Sequence, residues 1–250
     1  MTINFSQAVI LAGGLGKRLH PLTKSIPKPL APVNNVPFLD YIIQLLINNN
    51  FKKILILVGY KKNLIIERYK NLKAIKVQFS FAETFHDTGS RLLRSQELLD
   101  DYFMLLYGDN YFPLQLLKLK SNFIKKNALV TTTVFNNVKG TGEYGWRNNI
   151  EVDKNGKVIS YNKKLNNSSA NGVDIGFFLV SKKALNFKIK DNISFENDIL
   201  KNLIKKERLY AYCTNEQYYY VTNFESLKNF EKVAIKQNIE YLNIKDFNIG

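Results

Sequence analysis

The chain alternates short, continuously apolar runs with stretches in which apolar residues recur at helical spacing. Ala8 to Ala12, Ile54 to Val58, Ile75 to Phe81 and Tyr102 to Tyr107 have the length and composition of strands buried on both faces. Between the first two, Pro37 to Asn48 (PFLDYIIQLLIN) places its apolar residues one helical turn apart, with proline acceptable at the first helical position. Lys61 to Tyr69 reads as a second helix, and the stretch after the loop Thr84 to Ser90, through Leu99, as a third. This alternation predicts a mainly parallel sheet covered by helices, with ligands outside the carboxyl ends of the strands. The second half changes character. Leu129 to Phe135, Asn148 to Val152, Lys157 to Tyr161 and Val173 to Val180 read as strands, with Asp153-Lys-Asn-Gly156 as a turn between two of them. A helix near Phe195 to Lys205, short strands near Leu209 to Cys213 and Tyr218 to Val221, and a closing helix from Phe224 to Gln237 complete the pattern. No linker, repeat or low-complexity segment interrupts it, so the expectation is one α/β domain over residues 1–250, with halves meeting near residue 128.

The first strand runs into Leu11-Ala-Gly-Gly-Leu-Gly-Lys-Arg-Leu19. Gly13, Gly14 and Gly16 free the backbone to bring several N–H groups close to a ligand, a geometry suited to phosphate. Lys17 and Arg18 add positive charge, and an Arg fork can grip phosphate oxygens through two parallel hydrogen bonds. Lys28 stands between Pro27 and Pro29, whose rings predict a stiff, extended segment that aims the ammonium. Two familiar glycine loops are excluded. The dinucleotide fingerprint requires a third glycine where Leu19 stands and an acid after the next strand, which ends instead in Gly59-Tyr60. The Walker pattern requires glycine five positions before Gly16 and Ser or Thr after Lys17, where Leu11 and Arg18 occur. The glycine loop, Glu83 to Arg91 and Asp109 all fall at the predicted carboxyl edge, so three segments are expected to converge on one crevice.

At 250 residues and 45% hydrophobic, the chain can bury one large core. Its beginning reads as the lead into a strand rather than a signal peptide, and no apolar run approaches membrane-spanning length, so the expectation is a soluble cytoplasmic protein with no membrane partner. One cysteine excludes an internal disulfide, and two histidines without a thiol cluster disfavour zinc, which leaves Mg²⁺ on oxygen ligands as the expected metal. The formal charge of +15 raises the question of nucleic acid. The lysines are scattered among asparagine and isoleucine with no aromatic-interleaved basic repeat, so no nucleic-acid partner is expected.

The segment LAGGLGKRLHPLTKSIPKPLAPV, from Leu11 to Val33, resembles the signature of the sugar-1-phosphate nucleotidyltransferases, LAGGxGxRLxPLT…PKPLxPV. Within that family the resemblance extends to the branch acting on mannose- and heptose-type phosphates. It implies a Rossmann-like, GT-A-like domain with a mainly parallel mixed sheet flanked by helices. About 1–128 would form the nucleotide-binding half, and about 129–250 a smaller β-rich half for the sugar phosphate. The implied reaction is attack by the phosphate oxygen of a sugar 1-phosphate on the α-phosphorus of a nucleoside triphosphate, releasing pyrophosphate, for surface-polysaccharide synthesis. Arg18, Lys28 and Asp109 are the implied catalytic residues, with Asp109 also holding Mg²⁺. Leu11, Ala12, Gly13, Gly14, Gly16, Lys17, Glu83, Thr88 and Gly89 would bind the nucleotide, although FHDTGSRLL stands where many relatives have PLGTGGA. Gly145, Lys163, Asn171 and Asp174 would line the sugar-phosphate site. GTP with a mannose- or heptose-type 1-phosphate leads, ahead of CTP or UTP with another sugar. A second departure is Tyr220, which takes the place of the second metal aspartate of relatives. It keeps a catalytically weak nucleotide- or sugar-phosphate-binding paralogue as an alternative. No segment reads as a dedicated interface, and a homo-oligomer stays open.

Overall fold

The computed structural model of the chain describes residues 3–162, 168–186 and 192–243. In chain order the main elements are strand β1 (Gln7–Ala12), helix α1 (Phe38–Asn48), strand β2 (Lys53–Val58), helix α2 (Lys62–Tyr69), strand β3 (Lys76–Phe81) and helix α3 (Thr88–Arg94). Strand β4 (Tyr102–Tyr107), helix α4 (Leu116–Lys125), strand β5 (Val130–Phe135) and strand β6 (Val173–Ser181) follow. A π-helical turn, Phe195–Leu200, then runs into helix α5 (Lys201–Lys205), strand β7 (Leu209–Thr214) and helix α6 (Phe224–Lys236). The predicted strands recur within one or two residues. Helix α4 lies between β4 and β5, where the sequence reading placed no element; its Leu116, Leu119 and Phe123 form the buried stripe.

The chain divides into two compact units, each assembled from separate segments. The glycine-loop unit comprises Ser6–Phe85, Leu106–Leu114 and the chain from Tyr219 on; the long-strand unit comprises the residues before Ser6, His86–Leu105 and Gln115–Tyr218. Strand β4 begins in the second and ends in the first. In the glycine-loop unit the strand order is β4-β1-β2-β3, with β1 and β2 parallel in register Ile10↔Ile56 and β2 parallel to β3. In the long-strand unit the order is β7-β5-β6-β4, with β6 antiparallel to β5 and β7 parallel to it. The sheet is therefore mixed and flanked by helices. Burial explains the composition of its strands: β5 and β6 are buried along their whole length, and Ala8, Val9 and Ile10 of β1 are completely inaccessible.

Within the glycine-loop unit, Phe38 and Tyr41 of α1 meet Phe230 of α6 edge-on, with ring centroids 5.1 and 5.5 Å apart. A buried polar knot joins α1 to α2. The Asp40 carboxylate pairs with the Arg68 guanidinium and accepts the Tyr69 hydroxyl at 2.6 Å. Helix α6 opens on a capping box, in which Asn223 Oδ1 accepts from Ser226 N and the Ser226 hydroxyl accepts from Asn223 N. No helix among the described residues is long and apolar enough to cross a membrane.

Candidate active site

The glycine run leaves β1 as an irregular loop, after which Lys17–Leu19 forms a short 3₁₀ turn. Lys17 and Arg18 are exposed on that turn, while Leu19 is buried beneath it. Gly16 takes φ 63°, the left-handed region that glycine enters without strain, and a Cβ there would lie 2.8 Å from the Cβ of Lys28. The loop therefore closes directly on the lysine segment. Thr23 holds it there, donating its hydroxyl to Gly16 O at 2.9 Å. Lys28 itself opens a 3₁₀ turn, Lys28–Leu30, which corrects the extended segment expected from Pro27 and Pro29. Pro27 is extended, but Pro29 sits at the start of a helical turn, where its missing N–H costs nothing and its fixed φ fits.

After β4 the chain turns at Gly108, whose N–H bonds Leu11 O at 3.0 Å, and delivers Asp109 beside the lysine. The Lys28 ammonium and the Asp109 carboxylate form an ion pair between residues 81 positions apart. Both remain reachable by solvent, at 14% and 28% exposure. Asn110–Tyr111 then pairs antiparallel with Tyr219–Tyr220, in register Tyr220↔Asn110, and Val221 N bonds Asp109 O at 2.8 Å. Tyr220 therefore stands one pairing position from Asp109.

Glu83 is exposed just beyond β3. It borders a cavity of about 680 Å³ lined also by Ser25, Lys61, Lys62 and Phe81, with the Lys62 ammonium 3.2 Å from the centre of the Phe81 ring. Leu11 and Ala12 end β1, and Gly13 and Gly14 follow, with open space in front of Gly14. Thus every candidate nucleotide residue except Thr88 and Gly89 lies in the glycine-loop unit.

Thr88 and Gly89 start α3 in the long-strand unit, where they are stitched to residues 192–196. Thr88 Oγ1 donates to Glu196 Oε2 at 3.0 Å and accepts from Phe195 N at 3.0 Å. Ser90 exchanges two bonds with Ile193, N to O at 2.8 Å and N to Oγ at 2.7 Å. Gly89 admits this approach, since a Cβ would sit 2.7 Å from Ile193 O. Glu196 is 1% exposed, and burial pushes its carboxyl up to about 7, with the neighbouring Asp87 charge acting in the same direction.

The candidate sugar residues are also in the long-strand unit. Gly145 O accepts from Asn137 Nδ2 at 2.8 Å, and Asn137 Oδ1 takes Gly142 N at 2.9 Å, so one carboxamide shapes the whole 137–148 loop. Asn171 grips both backbone groups of Val152, at 2.8 and 2.9 Å. Asp174 is buried and accepts from Thr132 Oγ1 at 2.7 Å and Gly176 N at 3.1 Å. Tyr161, nearly inaccessible, is pushed well above the usual phenol range by burial and by the Asp174 charge. Lys163 lies outside the described residues. Sequence reasoning passed over Glu196, Asn137, Lys61 and Lys62, because each gains its place from a partner distant in sequence or from a cavity edge.

The Nucleotidyl transferase family model matches residues 7–232, nearly the whole chain. The chain belongs to the nucleotidyl transferase family. Among curated relatives, the D-glycero-alpha-D-manno-heptose 1-phosphate guanylyltransferase of Campylobacter jejuni is 32% identical over 203 residues, covering 80% of this chain and 87% of that protein. A probable glucose-1-phosphate cytidylyltransferase of Bacillus subtilis is 30% identical over 251 residues, covering 91% and 94%. Among solved structures, HddC from Yersinia pseudotuberculosis superposes with a TM-score of 0.76 at 22% identity, over 92% of this chain and 99% of that one. These matches make this nucleotidyl transferase an enzyme of the same fold as its relatives.

Proposed function

We propose that this nucleotidyl transferase moves the nucleotidyl group of a nucleoside triphosphate to a sugar 1-phosphate, forming a nucleoside-diphosphate sugar and pyrophosphate. The observation that carries the reading is the Lys28–Asp109 ion pair directly beside the glycine loop. Such a transfer needs no covalent nucleophile. It needs two anions placed in line and the charge between them neutralised. The exposed Arg18 reaches the leaving phosphates, the amides of Gly13 to Gly16 cradle them, and Lys28 bridges the α-phosphate and the incoming one. The cavity beside Glu83 has room for a nucleobase, with Phe81 as its aromatic wall. Within the long-strand unit, Asn137, through the Gly145 carbonyl, and Asp174 are the residues proposed to take the sugar phosphate.

The donor set fits one Mg²⁺ of the kind held mostly by substrate. Among the described residues no three metal-binding side chains gather, and the segment paired with Asn110–Tyr111 offers the Tyr220 phenol rather than a second carboxylate. Asp109 would hold the ion together with nucleotide oxygens, and the ion would supply charge neutralisation at the phosphates. Lys28 shares that carboxylate, so the lysine is held in place before any substrate arrives.

GTP with a mannose- or heptose-type 1-phosphate is the leading pair, supported by the Campylobacter jejuni relative, and surface-polysaccharide synthesis in the cytoplasm is the corresponding role. The Bacillus subtilis relative favours CTP with a hexose 1-phosphate as the second reading. Tyr220 favours a catalytically weak binding paralogue. Pyrophosphate release with the four ribonucleoside triphosphates and dTTP, against hexose and heptose 1-phosphates, separates them. One productive pair, abolished in Arg18→Ala and Asp109→Asn, is the expected outcome. Silence throughout with nucleotide binding intact would replace the enzyme reading with the binding one.

A further inference from the structure

The basic excess of the chain is not used up by the nucleotide loop. In the long-strand unit, a cavity of about 110 Å³ opens where β5 and β7 begin and β6 ends. Arg208 and Lys183 line it, together with Asn127 and Ser181, and among the described residues no acidic side chain is in its walls. Arg208 is anchored at this place by its backbone: its carbonyl accepts from Leu129 N at 3.0 Å and Val130 N at 3.3 Å. Its side-chain Nε is buried and meets no hydrogen-bond acceptor among the described residues. The preceding Glu207 gives its carboxylate to Lys157.

A guanidinium cannot shed its charge, so a buried Nε–H without an acceptor is costly unless something enters to accept it. Water could take the one bond. It would leave two cations facing one small space uncompensated. Apart from Tyr102, the remaining walls are apolar, including Phe123 and Leu129, and a less polar surround strengthens attraction between an anion and these cations. Size narrows the occupant. The space has room for a few waters or a single tetrahedral oxyanion.

We infer that the long-strand unit carries an anion site for a phosphate-sized oxyanion, gripped by Arg208 and Lys183, with the side chains of Ser181 and Asn127 as further donors. The site stands on Arg208 and its neighbours, so it does not depend on which nucleotide or sugar the enzyme uses. The shared chemistry is a phosphate group, which could arrive free or as a phosphomonoester.

The test is calorimetric titration of inorganic phosphate into the full chain at constant ionic strength, with chloride as the matched control. Four proteins are compared: wild type, Arg18→Ala, Arg208→Gln and Lys183→Gln. A saturable component that persists in Arg18→Ala and weakens about tenfold or more in Arg208→Gln is expected, in keeping with loss of a charge-assisted contact. Lys183 is exposed, so Lys183→Gln folds even if Arg208→Gln does not, and it should weaken the same component several-fold. A parallel titration with glucose 1-phosphate identifies the source. Weaker binding than inorganic phosphate assigns the free ion, and equal binding that is also lost in the Arg208 or Lys183 variant assigns a phosphomonoester to the same pocket. Absence of any saturable component in Arg18→Ala above the chloride control would leave water as the only occupant and overturn the site. So would binding that neither Arg208→Gln nor Lys183→Gln alters.

Discussion

Two aspartates of the glycine-loop unit each face a cation, and they serve opposite ends. Asp40 is 1% exposed at the side chain and is held by Arg68 and Tyr69; Asp109 is 28% exposed and is held by Lys28. Burial pushes the Asp40 carboxyl above its ordinary value, against the pull of Arg68 and Tyr69. Desolvation therefore outweighs pairing at Asp40, and the knot joins helices with its carboxylate closed off from solvent. Asp109 stays wet enough for its partner to be exchanged. A buried ion pair organises the fold, whereas one left half open beside a glycine loop is available for chemistry.

The largest effect expected from breaking this contrast is on rate. Asp109→Asn should lower kcat by about 10² to 10³ while the melting temperature scarcely moves, as for loss of one preorganised electrostatic contact. Asp40→Ala should do the reverse. Removing the carboxylate leaves Arg68 and Tyr69 without their acceptor, at a cost of about 3 kcal/mol in urea denaturation. The kcat of the remaining folded enzyme should be unchanged. An Asp40 variant that lost turnover without losing stability would dissolve the distinction.

Glu196 sharpens it from the other unit. Its carboxyl rises from 4.5 to about 7 on folding, equivalent to roughly 3 kcal/mol. Because the folded value is the higher one, this stabilisation is complete below pH 4.5 and is lost as pH rises through 7. Chemical denaturation of wild type against Glu196→Gln across that range should show the wild-type slope flatten in the variant. The smallest effects concern glycines. Gly89→Ala forces a Cβ to within 2.7 Å of Ile193 O and should cost about 2 kcal/mol. Gly14→Ala meets open space, so stability should hold while nucleotide affinity, read by calorimetry, falls.

Much of this was legible in the chain. The chain marked all seven main strands and nearly all helices, because period and burial are properties of neighbouring residues. The segment from Leu11 to Val33 marked the family for the same reason, since a phosphate loop is built from consecutive glycines and nearby cations. Leu209 to Cys213 was also readable, as a shorter strand than β7 proves to be. Helix α4 was passed over although Leu116, Leu119 and Phe123 recur at helical spacing, so its stripe was present in the sequence and went unread. Lys28 was read as extended because the rule for residues before proline was applied without the tight turn that closes on Gly16.

The local sequence thus determined which elements form and which glycines and cations stand in the candidate site. Tertiary structure alone decided which charges meet. Lys28 finds Asp109 across 81 residues, Asp40 finds Arg68 across 28, and Thr88 finds Glu196 across 108. Whether such a pair is buried or open depends on what the rest of the fold packs around it. That environment sets desolvation, and desolvation separates the aspartate that fastens two helices from the one that stands at the glycine loop.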